Sequence, residues 1–380
     1  MEGNLVIVGS GLAGYSLLRE FRRFDAHTPV TVLTADDGAA YSKGDLVAGL
    51  ARDRRPSDLV IATAEQLAFR DQARIQPFTR VMRIDRGNRT LEAPGGAVPW
   101  QRLVLATGAQ AAVPRLRGTG TNRVLSVASL SDYAYLKAEL AGRRRVALLG
   151  GSRWGCELAD ALVRNGYEVH LFEAQGRLFS GALPGLCSAR LARTLERGGI
   201  HVHLDSGVQR VDREVGGLKV FPYSGDPILV DLVLATQGTE PRADLAREAG
   251  LAVGRGIQVD GRMTSSDPDV FAVGECAEMQ GRVINLPEDI EASSKYLAAI
   301  LCGRPARWPG QPRVEALNLP DCPLVLCAPP KVPGEWQERA DRDGVRATFT
   351  DDRGRLRGFA ILGAAVSERD RLLAEVEAKR

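Results

Sequence analysis

Leu5-Val6-Ile7-Val8-Gly9-Ser10-Gly11-Leu12-Ala13-Gly14 runs directly into the helix-forming stretch Tyr15 to Phe24. Four apolar residues read as a buried strand. A G-x-G-x-x-G turn that leaves a strand and enters a helix is built to cradle phosphate. Gly9 allows the tight turn, Gly11 lets the backbone approach a pyrophosphate, and Gly14 lets the helix lie close to the strand. The N-terminus of the helix that follows faces the phosphates. A second strand, Val30 to Thr34, ends beside Asp36 and Asp37. An acid roughly 20 residues or slightly more beyond the glycines accepts from a ribose hydroxyl. Asp36 is the candidate, and one step of register would make it Asp37.

The plan occurs twice. Arg145 to Leu149 reads as a strand, Gly150-Gly151-Ser152-Arg153-Trp154-Gly155 as its turn, Cys156 to Asn165 as a helix, and Tyr167 to Phe172 as a strand ending at Glu173. The turn is altered: Ser152 stands at the middle glycine, where a Cβ crowds a pyrophosphate, and Arg153 and Trp154 are bulky. If the turn holds a nicotinamide dinucleotide, Glu173 is the ribose acceptor, and its charge favours NADH over NADPH. Two further buried strands match in position: Arg102 to Gly108, which ends on its glycine, and Leu229 to Thr236, which leads to Gly238. Thr79 to Asp85 reads as a strand, and Arg89 to Trp100 as a hairpin around Pro94-Gly95-Gly96. Val270 to Val273 ends in Gly274-Glu275-Cys276-Ala277-Glu278. An acid in that place can bond a ribityl hydroxyl, while the helix that follows offers its N-terminus to phosphate. Strands at Pro323 to Cys327, Val345 to Thr350 and Phe359 to Leu362, with a helix at Glu368 to Glu377, form a small α+β cap.

The fold class is therefore α/β: two doubly wound Rossmann-like dinucleotide-binding domains, the second inserted in the first, and a small C-terminal α+β domain. The expected boundaries are 1–110 with 239–312, then 111–238, then 313–380. Composition agrees. The 380 residues suffice for two or three modest cores, and 44% hydrophobic and 26% charged residues are ordinary for a globular protein. A net charge of +3 gives no case for nucleic acid. Basic runs such as Arg52-Asp53-Arg54-Arg55 and Arg143-Arg144-Arg145 read as solvated rims. No apolar run approaches the roughly 18 residues of a membrane helix, and the first strand is too short for a signal peptide. The six cysteines contain no C-x-x-C pair and no zinc or iron–sulfur spacing. They read as reduced and mostly buried, no metal site is expected, and the cytoplasm is the default compartment.

The combination of the Gly9 to Gly14 turn, Thr34-Ala35-Asp36-Asp37-Gly38, Tyr41-Ser42-Lys43 and Gly274 to Glu278 resembles bacterial rubredoxin reductase. So do Asp321-Cys322-Pro323-Leu324-Val325-Leu326, Ala328-Pro329-Pro330 and Leu362-Gly363-Ala364-Ala365-Val366. The resemblance covers nearly the whole length. It implies an FAD enzyme that takes hydride from NADH and passes electrons singly to rubredoxin, a small acidic electron carrier. It places Gly9, Gly11, Leu12, Ala13, Gly14 and Asp36 at the ADP part of FAD, and Val81 at the adenine. Thr107 and Gly108 fall beside the flavin, and Gly274 and Glu275 at the ribityl-phosphate. Gly150, Gly155, Glu157, Glu173 and Gly238 line the nicotinamide site. Lys43, which approaches the flavin ring, and Glu157 are the candidate catalytic residues. Arginines near the end of the chain, among them Arg339, Arg346, Arg355 and Arg357, could steer an acidic carrier, although Asp341, Asp343, Asp351 and Asp352 nearly cancel them.

Several positions depart from the family pattern. Gly44-Asp45-Leu46-Val47 stands where the family has Pro-x-Leu-Ser, Glu275 where it has Asp, and Asn318 where a Lys is expected. Glu288, Asp289 and Glu291 stand where it is mostly apolar. These departures define two other expectations. One is a remodelled flavoprotein that acts on another substrate without NADH. The other is a protein-binding descendant that catalyses nothing.

Overall fold

The computed structural model describes residues 4–179, 181–309 and 312–378. It divides into two compact units, each following one half of the internal repeat. The first comprises 1–43, 57–110 and 239–311, and the second 44–56, 111–238 and 312–380.

In the first unit five parallel strands lie in the order Val270–Ala272, Arg102–Leu105, Leu5–Val8, Val30–Leu33, Arg74–Gln76. Strands covered on both faces must be apolar throughout, and Leu5, Val6, Ile7, Leu103, Val104 and Leu105 are fully buried. The helix Leu12–Arg22 sets Leu17, Leu18 and Phe21 into this core. Each such side chain contributes about 1.5–3 kcal/mol on burial. The helix Pro287–Leu301 packs against it, and Ser294 Oγ donates to the carbonyl of Ala13 at 3.4 Å. Glu288 and Asp289 fall in the first turn of Pro287–Leu301, where the helix dipole favours negative charge. The hairpin expected before Arg102 is present as Thr90–Ala93 and Gly96–Pro99.

The second unit repeats the plan with Ile200–His203, Glu168–Phe172, Arg145–Leu149, Leu232–Ala235 and Val124–Ser126, again all parallel. An antiparallel meander, Val208–Glu214, Gly217–Pro222 and Ile228–Val230, shares a core with one face of that sheet through Val211, Val220, Phe172 and Leu149. The C-terminal domain is a five-stranded antiparallel sheet in the order Val314–Leu317, Leu324–Cys327, Leu356–Gly363, Gly344–Asp351, Gly334–Ala340. The helix Arg369–Ala378 sets Leu372 and Val376 into its core. Glu338 of this sheet accepts from the N–H groups of Gly185 and Leu186 at 3.0 and 2.7 Å, and so caps the helix Gly185–Arg197. Among the described residues no disulfide joins the six cysteines, five of which are buried, and no helix is long and apolar enough to cross a membrane.

Two sequence expectations need correction. Only Arg83–Asp85 of the stretch Thr79 to Asp85 is a strand. The backbone before it is diverted: Phe78 is left-handed at φ +52°, and the Phe78 and Thr79 N–H groups bond the carbonyls of Asp36 and Thr34. The apparent strand Leu229 to Thr236 is two strands in two sheets, Ile228–Val230 and Leu232–Ala235, broken at Asp231. The Asp231 carboxylate accepts from the Arg144 and Arg145 N–H groups, both at 2.9 Å, and from the Arg145 guanidinium at 2.6 Å. These bonds fix the crossover and the start of Arg145–Leu149 together.

The Arg145 guanidinium and the two N–H donors hold the Asp231 carboxyl down at about 2. The folded-state value is depressed, so its stabilisation is complete above the unfolded carboxylate value of about 3.9 and is lost as pH falls toward 2. Asp231→Asn is expected to cost about 1–3 kcal/mol at pH 7. The gap from the parent should narrow as pH drops below 4. Melts at pH 7 and pH 3 check this, and equal melting temperatures at pH 7 would refute it.

Candidate functional site

The first glycine turn is shaped by backbone-on-backbone contact. A Cβ on Gly14 would lie 2.1 Å from the Gly9 carbonyl oxygen, and one on Gly9, at φ +116°, would lie 2.1 Å from that of Ala106. Neither position admits a side chain. Gly11 differs: a Cβ there would meet nothing within 4 Å. The space in front of Gly11 is open, and no side chain caps the helix that starts at Leu12. Its first N–H groups, at Leu12 and Ala13, point with the positive end of the helix dipole toward that space. This cradle fits the pyrophosphate of a dinucleotide.

Asp36 is placed by a hydroxyl network. Ser10 Oγ and Thr34 Oγ1 lie 2.7 Å apart, and both reach Asp36 Oδ1, at 3.1 and 2.5 Å. The Gly38 N–H donates to the same oxygen at 3.0 Å, and Tyr15 Oη donates to the Gly38 carbonyl at 2.5 Å. Burial, reinforced by the Asp36 charge, pushes the Tyr15 hydroxyl up, so it stays a donor. Sequence reading missed Ser10 and Thr34. Their signal was a hydroxyl residue at the variable second position of the turn and another at the end of the second strand.

Lys43 and Glu275 are 232 residues apart and form an ion pair, with Lys43 Nζ donating to Glu275 Oε2 at 2.7 Å. The Glu275 carboxylate is largely shielded, at 15% side-chain exposure. Thr239 Oγ1 lies 3.5 Å from its other oxygen. Gly274 lies against Ala13 at the start of the first helix. Thr107 Oγ1 donates to the Arg242 carbonyl at 2.7 Å, and the Arg242 N–H donates to the Gly108 carbonyl at 2.9 Å. Gly9 to Gly14, Asp36, Thr107, Gly108, Gly274 and Glu275 thus gather at the C-terminal ends of the parallel strands, where open α/β sheets bind ligands. Val81 is half-buried against the same core, in the segment diverted past Asp36.

In the second unit Gly150 and Gly155 repeat the contact of Gly9 and Gly14, with a Cβ on Gly155 falling 2.1 Å from the Gly150 carbonyl oxygen. The Thr236 hydroxyl donates to that carbonyl at 2.8 Å. Glu173 is buried. Its oxygens accept from the Gly151 and Gln175 N–H groups at 2.9 Å each. Ser152 has, through its hydroxyl, a role that the sequence did not show. Its backbone is extended and unstrained, and its side chain folds back into the protein. The hydroxyl donates to the Thr236 carbonyl at 2.6 Å and accepts from the Gly155 N–H at 3.1 Å. It is an N-cap, and its cost is that one N–H of the anion cradle is already occupied. Glu157, one turn along the helix Arg153–Arg164, lies 3.7 Å from Arg153 and beside the Asn318 backbone. Burial pushes its carboxyl up, against the pull of the Arg153 charge. Arg153 itself donates to the Ala316 carbonyl at 3.2 Å, so the bulky turn residue joins the second turn to the C-terminal domain. Gly238 ends the strand Leu232–Ala235 and its turn, with open space before it.

Two phosphate-cradling turns on two doubly wound sheets in one chain define a two-dinucleotide oxidoreductase. Residues 3–295 match the pyridine nucleotide-disulphide oxidoreductase family, and residues 318–376 match the rubredoxin binding C-terminal domain. The chain belongs to the pyridine nucleotide-disulphide oxidoreductase family. It is 36% identical to the rubredoxin-NAD(+) reductase of Alcanivorax borkumensis, over 98% of both chains. It is 34% identical to the nitric oxide reductase FlRd-NAD(+) reductase of Vibrio vulnificus, over 99% of this chain and 98% of that one. In fold it is similar to the water-forming NADH oxidase of Lactobacillus brevis, with a TM-score of 0.90 and 19% identity over 99% of this chain and 91% of that one.

The contrast between Gly11 and Gly14 is testable. Gly11→Ala should leave the melting of flavin-stripped protein unchanged to within about 0.5 kcal/mol while weakening retention of FAD on gel filtration. Gly14→Ala forces backbone apart and should destabilise the stripped protein by about 1–3 kcal/mol. Equal melting of the two variants would refute the contact.

Proposed function

We propose that this chain is an FAD-dependent oxidoreductase that takes hydride from NADH and passes single electrons to a small electron-carrier protein of the rubredoxin type. The observation that carries the reading is the union of two dinucleotide turns with a C-terminal segment matching the rubredoxin binding domain. Full-length alignment with a rubredoxin-NAD(+) reductase supports the same layout. We assign FAD binding to 1–110 with 239–312, nicotinamide dinucleotide binding to 111–238, and the carrier-facing part to 313–380. The cytoplasm is the compartment proposed, in keeping with six cysteines that follow no secreted disulfide pattern.

In this reading Gly9, Gly11, Leu12, Ala13, Gly14 and Asp36 hold the ADP part of FAD, with Val81 toward the adenine. Thr107, Gly108, Gly274, Glu275 and Lys43 serve the remainder. FAD, when bound, supplies a centre that accepts a hydride and releases electrons one at a time. The protein's share is orientation and charge. Direct hydride transfer needs no side-chain acid or base, so Lys43 and Glu157 act by position. Glu275 holds the Lys43 ammonium at 2.7 Å and offsets its charge. Glu157, half-buried and 3.7 Å from Arg153, holds its proton more tightly than an ordinary carboxyl because of desolvation. Gly150, Gly155, Glu157, Glu173 and Gly238 receive the nicotinamide dinucleotide. The Glu173 carboxylate repels a 2′-phosphate, so NADH is preferred over NADPH.

Anaerobic addition of NADH to the purified yellow protein should bleach its flavin bands, far faster than NADPH does. One NADH should then reduce two oxidised rubredoxins. Flavin that stays oxidised under NADH sinks the proposal in favour of a remodelled flavoprotein, and a colourless protein points to a binding role.

Ser152→Gly removes a cap but restores the free N–H of Gly155. The Thr236 carbonyl and the Gly155 N–H then both lose their partner, so stability should fall by about 1–3 kcal/mol. The KM for NADH should fall several-fold. An unchanged KM would show that the capped N–H does not limit binding.

A further inference from the structure

Three of the four histidines of the chain meet at one edge of the second parallel sheet. Glu168 and His170 lie two apart on the strand Glu168–Phe172, and His201 and His203 two apart on the edge strand Ile200–His203. In the parallel register His170 pairs with His201 and Phe172 with His203. Alternation along a strand sends all of these to one face. The rings stack, with centroids 4.6 Å apart for His170 and His201 and 4.5 Å for Phe172 and His203. His170 is buried, while Glu168 and His201 are exposed. His170 Nε2 lies 3.2 Å from Glu168 Oε1, and His170 Nδ1 lies 3.1 Å from His203 Nε2.

We propose that Glu168, His170 and His201 form a binding site for one divalent transition cation of the zinc type, with His203 as the outer partner of His170. The reading does not depend on the redox function above. One carboxylate and two imidazoles are a donor set that suits zinc and its neighbours. Their ligand atoms already lie within 4.8 Å of one another. Tetrahedral zinc needs them about 3.3 Å apart, and rotation of the two exposed side chains supplies the difference. The buried member, His170, is already fixed by its ring contacts. Its hydrogen-bond pattern is what a ligating histidine requires. Without metal, the Nε2–H of His170 donates to Glu168 and Nδ1 accepts from His203. A cation at Nε2 moves the His170 proton to Nδ1, which donates to His203 Nε2, and the His203 proton moves to its own Nδ1. Both rings stay neutral before and after. The fourth position is left to water. A bound ion would tie the edge strand to its neighbour.

The test uses the untagged, FAD-loaded protein, stripped with a chelator, exchanged into metal-free buffer and titrated with Zn²⁺ by calorimetry and against a chromophoric chelator. The expected result is one equivalent bound at micromolar Kd or tighter, with a rise of several degrees in melting temperature. His201→Ala should weaken binding at least 100-fold, Glu168→Gln about tenfold, and His203→Phe about 10- to 100-fold. His201 and Glu168 are exposed, so their variants should keep the parent's flavin spectrum and zinc-free melting. Binding of less than 0.1 equivalent, or binding unchanged in both His201→Ala and Glu168→Gln, overturns the proposal and leaves a stacked aromatic edge.

Discussion

Gly14 sits against the carbonyl of Gly9, and a side chain on Gly14 would come within 2.1 Å of that oxygen. This contact of backbone on backbone sets the distance between the first helix and the first strand. It also aims the first N–H groups of the helix at the space before Gly11. Because the next strand exit, at Ala106, crosses equally close over Gly9, the turn is clamped from both sides. The same contact recurs between Gly155 and Gly150. The candidate site residues of each unit then follow from parallel strands that all end at the same edge: Asp36, Thr107 and Gly274 in the first, Glu173 and Gly238 in the second.

What was legible in the sequence was what depends on local rules. The Leu5–Val8 strand, the glycine turns and the Arg145–Leu149 and Glu168–Phe172 strands follow from apolar runs punctuated by glycine, whereas the flanking strands Ile200–His203 and Val124–Ser126 were not read. What was not legible depends on partners far away in sequence. Asp231 reads as one polar residue inside a strand, and nothing local says that the N–H groups of Arg144 and Arg145 will take it out of the ladder. The Lys43–Glu275 pair spans 232 residues. The strands Val314–Leu317 and Gly334–Ala340 have weak alternation, and tertiary pairing supplies what propensity does not. Ser152 was legible as a change but not as a gain. Only the fold shows that its hydroxyl turns inward to Thr236 and Gly155.

The unusual residues answer one another in pairs. In the first turn the residue after the opening glycine is Ser10, and its hydroxyl meets the short carboxylate of Asp36. In the second turn that place is Gly151, where a Cβ would fall 2.7 Å from the Leu178 side chain and 3.2 Å from Glu173. With no side chain to meet, the acid must come further. Glu173, one methylene longer than Asp, reaches the Gly151 N–H itself at 2.9 Å. Glu275 follows the same rule in the first unit. The longer acid spans to Lys43 Nζ and brings its other oxygen to within 3.5 Å of Thr239. Ser152 fills the donor and acceptor left by the Gly155 N–H and the Thr236 carbonyl. A polar group placed without its partner would be costly so close to these buried turns. Each of these side chains meets a specific partner, and removing one member of such a pair alone leaves the other without that contact.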